Sequence, residues 1–432
     1  MKQNFISHLN RHIATGKKTI NQGTLPENSP EKLLEKYAAE RKRLARSIAR
    51  KGNYEEIVKN LENQDLLFEQ MNRLQQEYES ILNIDQANFL FQEDEHSLEI
   101  WKALTVLELY DECTFKHSLH TYLIAKSKIE SPMLINGQVV DLKKMIVDEG
   151  VVDLNQFYKA CLLHDIGKIE VPHFLIASEI KNSEWSELLL DFDEKNNQGN
   201  PHKLLNKMLT DNGITLPAKI KNYPEITKEQ REEKKGLLIK FITENYLRCM
   251  LYVPVSAAFN NQLLGLNVFT PQNMQELKKR GYSQDSSLFE IIKPHEKNSK
   301  IILENLNLHK EADLVGAHHD YDGLYSTRYE QYPLTISSFA LSERTSELLR
   351  LADMHEAIHN EHRSYSDSQS RIDCLITLAK SIDKKKIHPL IAYIWLTDEL
   401  QKIKDSSNHD SEKVATLKKY ISTFERANES VN

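Results

Sequence analysis

What this 432-residue sequence has little of bounds it first. Its four cysteines, at 113, 161, 249 and 374, lie far apart with no CxxC pair. A disulfide framework is therefore not expected, and a reducing cytoplasm fits best. Glycine (13) and proline (12) are scarce for the length, which argues for long helices over many short strands. No apolar run reaches the roughly 18–20 residues that span a bilayer. The opening residues, Met1 to Ser7, lack the apolar core of a secretory signal. A net charge of −7 gives no overall pull toward nucleic acid. Against these absences stand 40% apolar and 28% charged residues, the balance of a soluble globular protein.

Helical periodicity fills most of the chain. After a polar, turn-rich stretch over residues 1–30, Leu34, Tyr37, Arg41, Leu44 and Ile48 recur at alternating spacings of three and four. Leu67, Met71, Leu74, Tyr78 and Ile81 do the same. Two antiparallel helices, or a dimerising hairpin broken at Gly52-Asn53, would satisfy both seams. The six positive charges between Arg41 and Lys51 read as a solvated face beside acidic neighbours. A surface for acidic lipid or nucleic acid is the alternative reading. Leu98 to Tyr110 is a strongly apolar helix, and Asp111 to Ser118 opens another that runs through Ile124. Residues 180–290 are rich in Asn, Lys and Glu and read as an insertion. Leu288–Leu306, with His295, and Glu311–His319 are helical again. A longer helix, capped by Ser337 or Ser338, reaches Asp353 and Glu356. Residues 371–432 add two or three amphipathic helices, and no clear strand run intervenes. The expected fold class is all-α.

The chemistry centres on Ala160-Cys161-Leu162-Leu163-His164-Asp165-Ile166-Gly167-Lys168. Leu154, Phe157, Tyr158, Cys161 and Leu162 form one buried helix face, with Asp153 as its N-cap. His164 and Asp165 close that helix, Gly167 turns the chain, and Lys168 follows. Ligand-grade side chains at the last turn of a buried helix are costly unless something pairs them, so a metal is the first expectation. Further motifs supply partners: Asp111-x-x-Thr114-x-x-His117-Ser118, Lys293-Pro294-His295, His318-His319 and Leu351-Ala352-Asp353. Five histidines and two aspartates suit two metal ions that share a bridging carboxylate. Adjacent helical residues project about 100° apart, so His164-Asp165 and His318-His319 suit two metals about 3.5–4 Å apart better than one. Imidazole-rich ligation favours two divalent transition-metal ions, iron or manganese, over magnesium or calcium.

In this order the motifs resemble those of the HD superfamily. More narrowly they look like its HD-GYP branch, which hydrolyses cyclic di-GMP. The likeness covers roughly residues 98–180 and 285–367. It implies one metal on His117, His164, Asp165 and Asp353, a second on His295, His318 and His319, and Asp165 between them. It also implies attack by a hydroxide bridging the two metals. Asp165 and Lys168 are then the catalytic residues, with Lys168 adding positive charge at the phosphoryl group. Arg363 and Tyr365 stand near the family's Arg-x-Tyr and would bind substrate phosphate or base. His202 competes with His295 for one ligand position. His295, 23 residues before His318, fits the spacing better.

Two departures qualify the likeness. Relatives with a third metal carry a glutamate four residues before the first histidine; Cys113 stands there, so two metals are expected unless Glu112 or Asp111 reaches in. After His318-His319 the chain reads Asp320-Tyr321-Asp322-Gly323-Leu324-Tyr325-Ser326, which keeps Asp-Gly and loses Gly-Tyr-Pro. That loop shapes the substrate mouth in the family, so the substrate is the open point.

The expected architecture is an HD-type helical bundle in five segments. Residues 1–95 form an N-terminal helical region, regulatory or dimerising, and residues 96–180 the first catalytic half. Residues 181–286 are a helical insertion, residues 287–370 the second catalytic half, and residues 371–432 the C-terminal helices. The expected activity is that of a cytoplasmic metal-dependent phosphohydrolase, a phosphodiesterase opening a cyclic dinucleotide. The alternatives are an HD phosphohydrolase acting on another nucleotide or phosphomonoester, and a nucleotide-binding signalling protein without turnover. A homodimer through the N-terminal helices is expected as a partner, and nucleic acid is not.

Overall fold

Long amphipathic and apolar runs with few glycines fold into helices, and the computed structural model is helical almost throughout. It describes residues 30–82, 96–135, 138–143, 153–176, 271–283, 285–316, 318, 345–359, 371–383, 387, 389–404 and 411–429. In chain order the N-terminal helices are α1 (Pro30–Ala49), α2 (Tyr54–Asn63) and α3 (Leu67–Leu82). Next come α4 (Ser97–Tyr110), α5 (Glu112–Glu130) and α6 (Leu154–Leu163). The second half holds α7 (Pro271–Lys279), α8 (Leu288–Ile292), α9 (His295–Asn305) and α10 (His309–Val315). α11 (Thr345–His359), α12 (Arg371–Asp383), α13 (Pro389–Lys404) and α14 (Ser411–Glu429) complete it. Among the described residues one strand pair departs from the all-helical expectation: β1 (Met133–Ile135) pairs antiparallel with β2 (Gln138–Val140). Three residues a side are too short to leave a period-two signal in the sequence. No described helix is long and apolar enough to cross a membrane.

The most apolar run makes the most enclosed helix. Nearly every residue of α4 from Ile100 to Tyr110 is buried, as a helix hydrophobic on all sides must be; only its first turn, with Leu98, opens to solvent. The N-terminal helices and α5 pack around it. Of the two sequence seams, the second lies inward, with Leu67, Met71 and Leu74 buried. The first does not: Leu34, Tyr37 and Leu44 face solvent. α1 instead meets α4 through the small residues Ala45 and Ala49 and through ion pairs. Lys42, Arg46 and Arg73 converge on the buried carboxylate of Glu108, at 3.0, 3.2 and 2.6 Å. Arg46 also pairs with Glu112, and Arg41 with Glu69. Much of the basic run is thus taken up by acidic neighbours within the chain, as the plainer reading has it.

The C-terminal helices brace the middle of the molecule. Lys128 of α5, almost fully buried, pairs with Asp398 and Glu399 of α13 and lies 5.3 Å over the Trp395 ring. The Trp395 indole N–H donates to His355 Nδ1 of α11 at 3.2 Å. α13 therefore grips both α5 and α11, the two helices that carry His117 and Asp353.

A close approach behind the HD motif sets the remaining geometry. Residues Ile166–Glu170 form a short 3-10 helix that packs against α9. Gly167 makes this possible, because a Cβ there would lie 2.0 Å from His295 O and 2.3 Å from Ser299 N. Buried Ser299 then stitches the elements together: its Oγ accepts from Gly167 N (2.8 Å) and donates to His164 O (2.7 Å). The end of α7 locks the far side, where Arg280 donates to Glu170 O at 3.0 Å and Gly52 O at 3.0 Å. Gly167→Ala should cost about 1–3 kcal/mol or more through overpacking. Ser299→Ala should cost about 1–3 kcal/mol by stranding two buried backbone groups. Thermal unfolding checks both, and a melting temperature unchanged in Gly167→Ala contradicts the close approach.

Candidate metal centre

Three of the expected histidines sit just past the end of a helix, where backbone carbonyls have no helical partner. His164 closes α6 and His318 follows α10. His295 follows α8 across Lys293-Pro294, where the proline interrupts what the sequence suggests is one continuous helix. In each case ring Nδ1 donates to the carbonyl three residues back. His164 bonds Cys161 O at 2.9 Å, His295 bonds Ile292 O at 2.8 Å, and His318 bonds Val315 O at 2.6 Å. His117 differs, because it lies within α5. Its Nδ1 is hydrogen-bonded to the buried carboxylate of Glu356 on α11. Donation from Nδ1 fixes the tautomer and leaves the lone pair on Nε2.

All four Nε2 atoms then converge on Asp165. His117 Nε2 lies 3.2 Å from His164 Nε2 and 2.9 Å from Asp353 Oδ1. Asp165 Oδ2 is 3.5 Å from His117 Nε2 and 3.6 Å from His164 Nε2. Its Oδ1 turns the other way, 3.4 Å from His295 Nε2, and the His295 and His318 rings stand 5.9 Å apart. Two groups could each hold a cation: His117, His164 and Asp165, and Asp165, His295 and His318. They share Asp165. The backbone of His318 is itself anchored, because Arg350 Nε of α11 donates to its carbonyl at 3.0 Å.

The electrostatics of both carboxylates and of His295 match that donor set. Burial disfavours a charged Asp165, yet Lys168, His164 and His295 hold its carboxyl well below the usual range. Burial opposes Asp353 likewise, and His117 and His164 outweigh it. Burial lowers His295 despite Asp165 beside it. At His164 burial pushes down as well, but Asp165 and Asp353 carry it above its ordinary value. Anionic carboxylates and a neutral imidazole are the forms that ligate metal. Two observations show that the residues fit cations. His117 and His164 aim their Nε2 atoms at one another at 3.2 Å, an approach that a proton or a metal cation between them relieves. Asp165 Oδ1 is fully buried and accepts no hydrogen bond, a costly state unless something pairs it.

The structure thus brings together His117, His164, Asp165, His295, His318 and Asp353, with Lys168 beside Asp165. His319, Arg363, Tyr365 and the alternative His202 lie outside the described residues. Neither route to a third metal reaches in: Asp111 caps α5 by accepting from Thr114 N at 3.0 Å, and Glu112 is held by Arg46 and Lys116. Sequence reasoning gave Glu356 no part in the site. Its signal was the Asp353-x-x-Glu356 spacing, which puts both carboxylates on one helix face.

Among known families, the model of the HD domain matches residues 114–208. No curated protein and no solved structure matches the chain. HD domains are in general metal-dependent phosphohydrolases, and the match contains His117, His164 and Asp165 in the expected order. It extends over His202, whereas the geometry places His295 against Asp165.

Glu356→Ala should leave His117 without its orienting partner and weaken metal affinity about 10- to 100-fold. Glu356→Gln, which keeps a hydrogen-bonding oxygen, should recover part of the loss. Metal titration of the folded variants checks this; equal affinity in wild type and Glu356→Ala rejects it.

Proposed function

We propose that the chain is a metal-dependent phosphodiesterase that opens a cyclic dinucleotide of the cyclic di-GMP kind by hydrolysis at one phosphodiester. The single observation that carries this reading is the shared carboxylate. Asp165 faces a histidine pair on each side, the arrangement that two closely spaced cations require. His117, His164, Asp165 and Asp353 would hold one cation, and His295, His318 and His319 the other, with Asp165 in common. The imidazole-rich set favours iron or manganese. Two such ions supply a nucleophile from water near neutral pH and neutralise phosphoryl oxygens.

The chain's own groups supply the rest. The helix-end carbonyls and Glu356 keep the imidazoles aimed inward, so they need no rearrangement when charge develops. Lys168, partly exposed beside Asp165, would add positive charge to a bound phosphoryl group. Arg363 and Tyr365 would hold the phosphate and base of the substrate. In the reaction the water oxygen bonds phosphorus, the phosphorus–ribose oxygen bond breaks, and the leaving oxygen takes a proton. The product is a linear dinucleotide.

One feature supports a second reading. The Gly-Tyr-Pro loop is missing after His318-His319, where the chain reads Asp322-Gly323-Leu324-Tyr325. Without it, a different nucleotide or a phosphomonoester is the natural competitor. Incubation of the purified chain with cyclic di-GMP and manganese or ferrous iron, read by chromatography, decides between them. The linear product should form with wild type and be lost in His164→Ala and Asp165→Ala. Turnover that survives either substitution refutes the site. Cleavage of a generic phosphodiester with cyclic di-GMP untouched favours the second reading, and metal-replete protein that turns over nothing favours a nucleotide-binding role.

A further inference from the structure

Asp165 carries one contact that neither cation position explains. Lys168 Nζ lies 2.5 Å from Asp165 Oδ2, the oxygen that faces His117 and His164. Oδ1, on the His295 side, has no such guard. The carboxylate is therefore asymmetric: one lobe holds an ammonium and the other accepts no hydrogen bond. The two partners also differ in freedom. Asp165 is sealed in the interior, whereas the Lys168 side chain is 22% exposed. An ammonium on a flexible four-carbon stem can swing away; a buried aspartate at the end of α6 cannot. A cation entering between His117 and His164 meets Oδ2 as the nearer oxygen of Asp165, and like charge sets it against Lys168 there.

We propose that Lys168 is the chain's own counter-ion for Asp165: it holds Oδ2 until a cation enters on the His117–His164 side, and once displaced it turns to the phosphoryl group of the substrate. The proposal rests on the binuclear reading of the site and deepens it. The lysine becomes a link between two binding events. Metal entry frees it for phosphate, and phosphate, by engaging it, clears the way for metal. Such coupling is reciprocal, each ligand raising the other's affinity by one common factor.

The test uses the full chain, stripped of metal with a chelator and titrated with manganese(II) alone by calorimetry, with and without inorganic phosphate. Lys168→Met removes the charge and keeps the stem; Lys168→Gln serves the same purpose should the methionine variant fail to fold. One of the two manganese binding steps should tighten by about 5- to 150-fold, the usual span of a coupling between sites. The enhancement of manganese binding by phosphate, present in wild type, should shrink in the variant. Manganese affinity that is unchanged or weaker in both variants overturns the proposal while leaving the binuclear site standing. Wild type that binds no manganese or iron is a different result: it removes the binuclear reading, and this proposal with it.

Discussion

The buried carboxylate of Asp165 is the constraint around which the described structure is arranged. An ionised carboxylate with no route to water is costly, and the cost is met only when positive charge or hydrogen-bond donors surround it. Here Lys168 meets Oδ2, and two pairs of imidazole nitrogens face the two oxygens from opposite sides. Supplying those pairs takes four separate helices. α5 delivers His117, His164 follows α6, α9 begins with His295, and His318 follows α10. α11 adds Asp353 beside His117 and Glu356 behind it. The packing serves that convergence, down to the missing side chain of Gly167 and the two hydrogen bonds of Ser299.

Three of the four imidazoles are held by one recurring device. The last carbonyls of a helix lack intrahelical donors, and a histidine three residues further on returns its Nδ1–H to one of them. The bond satisfies the backbone, fixes the tautomer and points Nε2 into the site in a single step. His117 cannot use the device, because in the middle of α5 the carbonyls are already engaged; a carboxylate from another helix does the work instead. The C-terminal helices fit the same logic. Through Lys128, Trp395 and His355 they hold α5 against α11, and so set the relation of His117 to Asp353.

Much of this is legible in the sequence. The helical class follows from periodicity and scarce glycine, Asp153 caps α6 as its position suggests, and six of the expected ligands meet at one place. What was not legible has physical reasons. The first heptad-like seam turned outward because α1 docks through small alanines and ion pairs, which hydropathy does not register. Pro294 broke an apparently continuous helix and put His295 at the start of α9. The Asp353-x-x-Glu356 spacing puts Glu356 on the face of Asp353, but its partner is not legible, because that depends on α11 lying against α5.

The central claim is that Asp165 serves two cations at once, and metal analysis of purified variants tests this most directly. Wild type should carry about two transition-metal ions per chain. Asp353→Ala should lose the ion on its own side and keep the other, whereas Asp165→Ala should lose both. Equal metal content in wild type and Asp165→Ala, or a wild-type chain that takes up no transition metal, would contradict the shared carboxylate.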